Sequence, residues 1–157
     1  MLKTTIQRLA QTSLLGISLA LVSVNAHAGD DYRFTPPDYP REVGGQIFQY
    51  YLPAVDGFAA NVNMQIQPFD GDLDAYAQIS EAQFAQLDFE VIDISRGENE
   101  LVYEYRGTMQ GTTFHWYSRV VREGNYYYVV TATSLEERWE TERDQLINSV
   151  HSFALNR

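Results

Sequence analysis

Twelve residues, Asp70-Gly71-Asp72-Leu73-Asp74-Ala75-Tyr76-Ala77-Gln78-Ile79-Ser80-Glu81, place acids at positions 1, 3, 5 and 12 of a window as long as a helix-loop-helix calcium loop. Hard cations take carboxylate and carbonyl oxygens, and Asp70, Asp72, Asp74, the Tyr76 carbonyl, Gln78 and Glu81 stand where such ligands stand. Two features oppose calcium. Position 6 is Ala75, where the loop's sharp turn asks for glycine, because a Cβ penalises left-handed backbone. The segment before Asp70 reads as a strand ended by Pro68, while Leu73, Tyr76 and Ser80 already fall on a helical stripe. The pattern therefore predicts a helix start. Asp72 is its N-cap and Asp74 sits beside the positive end of the helix dipole, each contributing about 0.5–1 kcal/mol. Asp70, Asp72, Asp74 and Glu81 are set aside as metal ligands.

Other chemistry is sparse. His115 and His151 are the histidines beyond residue 28, and no H-E-x-x-H spacing joins them to a third ligand. The chain has no cysteine, no G-x-S-x-G elbow and no phosphate-cradling glycine loop. No catalytic residue and no cofactor is assigned. One polar set remains. If the strand ending at Met109 and the strand beginning at Thr112 form a hairpin with a two-residue turn, Glu104, Arg106, His115, Tyr117 and Arg119 share a face. Glu104 or Arg106 then lies opposite His115, depending on which two residues turn. The set reads either as a polar patch for a partner or as an internal salt-bridge set meeting an acidic last helix through Glu136, Glu140 and Asp144. The internal reading is preferred.

The elements that position these residues follow from period and punctuation. Residues 1–28 have a basic start (Lys3, Arg8), an apolar run from Leu14 to Val22, and Ala26-His27-Ala28 before a polar chain. This is the pattern of a secretory signal cleaved after Ala28, with an apolar run too short to span a bilayer. Residues 29–45 hold three prolines and three glycines and read as an irregular lead-in to a domain at 46–157. Ile47 to Leu52 has strand composition, and Val55-Asp56-Gly57 reads as a turn. Asn61 to Gln67 alternates amides with Val62, Met64 and Ile66, the mark of a half-buried strand. A helix is predicted from Leu73 to about Asp88, then a strand from Phe89 to Ile94. Three antiparallel strands follow, from Leu101 to Met109, Thr112 to Arg122 and Asn125 to Thr133, with Gly107, Gly111 and Gly124 at the reversals. Ser134-Leu135-Glu136-Glu137 reads as a capping box opening the last helix.

The strands near the end carry Tyr, Val, Phe and Trp on both parities, as in Tyr126-Tyr127-Tyr128-Val129-Val130. Such a sheet calls for cover on both faces. The expected class is α+β, an α/β/α sandwich whose central antiparallel sheet is flanked by helices on both faces.

Charge narrows the partners. Beyond residue 28 the chain keeps 9 of its 11 basic residues, all arginine, against 21 acidic ones, a formal charge of −12. Nucleic acid and anionic headgroups are disfavoured, because both need clustered basic side chains. The 129 residues left after cleavage make one ordinary domain, held by apolar burial since it has no disulfide.

Gly57-Phe58-Ala59-Ala60-Asn61-Val62-Asn63-Met64, the helix beginning Leu73-Asp74-Ala75-Tyr76-Ala77, the pair from Val102-Tyr103-Glu104-Tyr105-Arg106-Gly107-Thr108 to Trp116, and Tyr128-Val129-Val130-Thr131-Ala132-Thr133 before an acidic helix together resemble the PsbP/DcrB-like superfamily. The resemblance covers residues 46 to 155. It implies an α/β/α sandwich and a role as an accessory that binds other proteins, as do photosynthetic extrinsic subunits, a Ran-binding import factor, DcrB-type envelope proteins and effector chaperones. It brings no family-wide catalytic residues, and the lipid-carrying cysteine of its lipoprotein members is absent here. The expectation is an exported, periplasmic or secreted, non-enzymatic protein with no membrane span after cleavage, bound to a protein partner in the envelope. A small-ligand or divalent-cation-binding protein is the alternative, and a hydrolase the third reading.

Overall fold

The computed structural model describes residues 35–156, so the signal, its cleavage site and the first residues of the lead-in lie outside the described part. Eight main elements follow in order. They are β1 (Gly45–Tyr51), β2 (Asn61–Pro68), α1 (Leu73–Gln86), β3 (Glu90–Arg96), β4 (Glu100–Met109), β5 (Thr112–Glu123), β6 (Tyr126–Leu135) and α2 (Trp139–Ser152). Short 3₁₀ turns occupy Arg41–Val43 and Glu136–Arg138. The strands form one antiparallel six-stranded sheet in the order β1-β2-β6-β5-β4-β3, an α+β fold with two helices.

Turn chemistry explains the meander from β3 to β6. Gln110 and Gly111 both take positive φ (52 and 83) between Met109 and Thr112, the backbone a two-residue hairpin needs. Gly124 (φ 60) opens the next reversal. Asp56 and Gly57 turn the β1–β2 connection, closed by a bridge between Val55 and Phe58. Gly107, expected at a reversal, instead lies inside β4 opposite Phe114. Its role is spatial: a Cβ there would fall 2.1 Å from Cδ1 of Phe89, whose ring stacks on Trp116.

The acids of the calcium-like window are dispersed by the helix they introduce. Asp72 Oδ1 accepts from the Ala75 N–H at 2.8 Å, Asp70 accepts from Asn125 at 2.9 Å, and Asp74 and Glu81 pair with Arg96 at 3.1 and 2.9 Å. The expected capping box at Ser134 does not form. β6 continues through Leu135, Ser134 is buried opposite His115, and its hydroxyl donates to Glu142 instead of capping a helix.

Two apolar clusters divide the sheet residues by parity. Leu101, Tyr103, Tyr105, Trp116, Tyr127 and Val129 pack with Tyr76, Ala77 and Phe84 of α1. Val62, Met64, Ile66, Tyr128, Val130 and Ala132 pack with Trp139, Leu146 and Val150 of α2. The first cluster is a ring stack, with Tyr76 lying 4.4 Å from Tyr127 and nearly parallel to it. β2 departs from expectation, because its amides as well as its apolar residues are mostly buried.

Gly107→Ala should lower stability by about 1–3 kcal/mol through the clash with Phe89. Gly111→Ala, with open space around it, should lose only about 1 kcal/mol from left-handed strain. Urea midpoints of the two variants check the order. Burial first, and the Glu81 charge second, push the Tyr103 hydroxyl up to about 12 from an ordinary 10.0. A raised folded value stabilises the fold below pH 10. That stability should therefore drain away as pH rises from 10 towards 12, and Tyr103→Phe should flatten this alkaline limb in pH-dependent unfolding.

Candidate functional site: a histidine between two glutamates

The β4–β5 register sets Arg106 opposite His115, Glu104 opposite Tyr117 and Val102 opposite Arg119. All five residues of the expected polar set therefore share the side of the sheet that carries the α2 cluster. Next to β5, the end of β6 pairs Ser134 with His115, and the 3₁₀ turn that follows brings Glu136 over the histidine.

His115 is buried and held on three sides. Its Nδ1 lies 2.7 Å from Glu136 Oε2 and its Nε2 lies 2.9 Å from Glu104 Oε1. Its ring stacks on the Trp139 indole, centroids 4.0 Å apart and planes within 11°. Trp139 Nε1 donates to the same Glu104 oxygen at 3.2 Å. A neutral imidazole has one N–H, so only the doubly protonated ring donates to both carboxylates at once. Both ring nitrogens are taken up by carboxylates in this arrangement.

Arg106 extends the set outwards, donating to Glu136 at 2.9 Å and forking onto both oxygens of Glu90 at 2.9 and 3.2 Å. Desolvation pushes the Glu136 carboxyl up, but hydrogen bonds from His115 and Arg106 outweigh it and hold the group below its ordinary value. At the other end of the face, Arg119 donates to Glu100 at 3.0 and 2.8 Å and to the Phe153 carbonyl, just past the end of α2, at 2.9 Å. Tyr117 meets His151 of α2 at 2.8 Å. Arg138 and Ser134 both reach Glu142, tying the first turn of α2 to β6.

Glu136 thus joins the set as expected, whereas Glu140 and Asp144 are exposed and have no contact with it. Sequence reasoning missed the parts played by Glu90, Glu100, Trp139 and Glu142. Glu100 was reachable by counting back from Glu104 in steps of two. Glu90 was not, because a bulge between Val91 and Asp93 breaks the parity of β3. Among the described residues no group of three or more His, Asp or Glu side chains is placed to hold a metal ion.

No family model and no curated protein matches the chain. Solved structures do. PA94 from Pseudomonas aeruginosa, a protein of unknown function, is similar at a TM-score of 0.60 and 12% identity, over 80% of this chain and 96% of that one. CyanoP, the PsbP of Synechocystis, is similar at 0.45 and 18% identity over 59% and 65% of the two chains. LpqN of Mycobacterium tuberculosis, involved in cell envelope biogenesis, is similar at 0.47 and 12% identity over 67% and 76%. At these identities the likeness is one of fold alone, and it rests on PA94.

Arg119→Ala should cost about 1–3 kcal/mol, since it strips donors from Glu100 and from the chain end beyond α2. Thermal unfolding measures it. Because Glu136 titrates lower when folded, it stabilises the fold above its ordinary value of 4.5, and that contribution is lost as pH falls below it. Glu136→Gln should flatten the acid limb of a stability-against-pH series.

Proposed function

We propose that this protein is an exported, non-enzymatic accessory that binds a protein partner in the cell envelope. We further propose that its sheet is the centre of an α/β/α sandwich, a reading supported by the assignment of each strand parity to its own helix. The polar set around His115 serves in this proposal as a strut fixing α2 to the sheet, since its ring nitrogens and guanidinium groups are taken up by the carboxylates of Glu90, Glu100, Glu104 and Glu136.

One observation carries the binding role. Large apolar side chains are exposed around β1: Tyr39, Val43, Tyr50 and Val55, with Val43 at 70% and Tyr50 at 57%. On a chain this acidic, apolar groups gathered at one sheet edge mark a contact surface. β1 is also an edge strand, its outer backbone groups paired with no other strand among the described residues. Such an edge is open to an added strand or loop of a partner.

The test is cross-linking capture from envelope extract, using the exported protein and its Val43→Arg, Tyr50→Arg double variant. The wild type should enrich a defined protein, and the variant should lose it with an unchanged melting temperature. Equal capture by both would refute the β1 surface.

A further inference from the structure

β1 and β3 close the two edges of the sheet, and their sequences treat those edges differently. Charge and bulges keep an exposed edge from pairing with another chain. β3 has both, carrying Glu90, Asp93 and Arg96 and a bulge between Val91 and Asp93. β1 has no charged residue at all, on a chain of formal charge −10. Its own bulge, between Gln46 and Phe48, leaves a regular stretch at residues 48–52, which Pro53 ends.

The ladder decides which groups of this stretch point outwards. The Leu52 N–H donates to the Ala60 carbonyl at 2.7 Å, so Leu52, Tyr50 and Phe48 turn their backbone groups towards β2. Gln49 and Tyr51 turn theirs away, and no other strand takes them among the described residues. Side chains follow the same parity. Phe48 and Tyr50, opposite Met64 and Val62, stand with Leu52 on the face that α2 covers further in. Tyr50 is more than half exposed there.

The partner that fits this edge is the same edge. A twofold axis at Tyr50 sets Gln49 opposite Tyr51 of the second copy and Tyr51 opposite its Gln49, so each pair exchanges both N–H···O bonds. Phe48 then meets Leu52 of the copy, and Tyr50 meets its own counterpart, which closes the exposed apolar side chains over one another. Charge agrees with this occupant. The strand brings no like charges together, and the nearest ones, Glu42 and Asp56, lie beyond the bulge and the proline. On β3 the same operation fails, because an axis at its midpoint, Asp93, would set two carboxylates face to face.

We infer that β1 is a homodimer interface, where a second copy of this chain adds antiparallel about Tyr50 and joins two six-stranded sheets into one. This interface goes beyond the envelope-partner reading and does not depend on it. Pairing consumes residues 48–52 and leaves Tyr39, Val43 and Val55 outside the new ladder.

Sedimentation of the purified exported protein from about 1 µM to 1 mM reads the association. The mass should rise from monomer to dimer and stop there, since a twofold contact closes. Added salt should favour the dimer, because two acidic chains repel. Tyr51→Pro removes an outward N–H that β2 does not use, and should weaken association about tenfold at an unchanged melting temperature in dilute protein. Tyr50→Glu, at an exposed position, places two carboxylates at the axis and gives the same reading should Tyr51→Pro fail to fold. The chain has no cysteine of its own, so Tyr50→Cys can be coupled across the axis with copper phenanthroline, and should couple far faster than Val55→Cys, exposed but off the axis. The dimer is overturned if the wild type stays monomeric at about 1 mM, if the mass climbs past two copies, if both ladder variants associate like the wild type, or if the two cysteine variants couple at equal rates. A dimer that captures no envelope protein would remove the partner reading alone, and capture by a chain that stays monomeric would remove the dimer alone.

Discussion

β6 is buried along nearly its whole length, on both parities, and the rest of the molecule answers to that constraint. A strand with a wet side can alternate apolar and polar residues, but one buried throughout needs two apolar partners. Tyr127 and Val129 find theirs with α1, while Tyr128, Val130 and Ala132 find theirs with α2. The central place of β6, between β2 and β5, follows from the same demand, since edge positions go to strands with exposed residues. The chain has no disulfide to help, so this burial supplies most of the cohesion.

Once two helices must dock, their positions have to be specified, and apolar contact alone is permissive about register. α1 is fixed by its N-cap and by the Arg96 fork onto Asp74 and Glu81. α2 is fixed by groups of far greater directionality. His115 between Glu136 and Glu104, the indole of Trp139 against the ring, and Glu142 taking Ser134 and Arg138 together define where the helix begins. Arg119 defines where it ends. Buried ionic groups of this kind add little net stability over apolar replacements, because desolvation offsets their attraction. Their contribution here is geometric: each bond is satisfied in one placement of α2 and broken in its neighbours.

Much of this was legible in the sequence where a local pattern coincided with a global demand. The order strand, strand, helix, four strands, helix is what the chain adopts, and the Gln110-Gly111 turn placed Arg106 across from His115 as one of the two registers allowed. The N-cap role of Asp72 followed from the failure of Ala75 as a calcium-loop glycine. Legibility ended where tertiary contact overrode a local signal. Ser134 has the composition of a cap, but pairing with His115 across the sheet holds it in β6 and moves the helix start to Trp139. Gly107 looks like a turn residue because glycine usually is one, whereas its cause is a Phe89 ring some eighteen residues away. No local window contains that ring.

The amides of β2 are a different kind of departure. At Ser134 and Gly107 the structure shows what each broken rule gains: a ladder pair in one case, room for an aromatic ring in the other. Asn63 gains nothing comparable within the described residues, for its carbonyl is buried and unpaired. Rules broken without an internal return tend to sit where a protein meets something else. β2 lies on the sheet next to β1, where Tyr50 is exposed, with Tyr39 and Val43 exposed just before the strand.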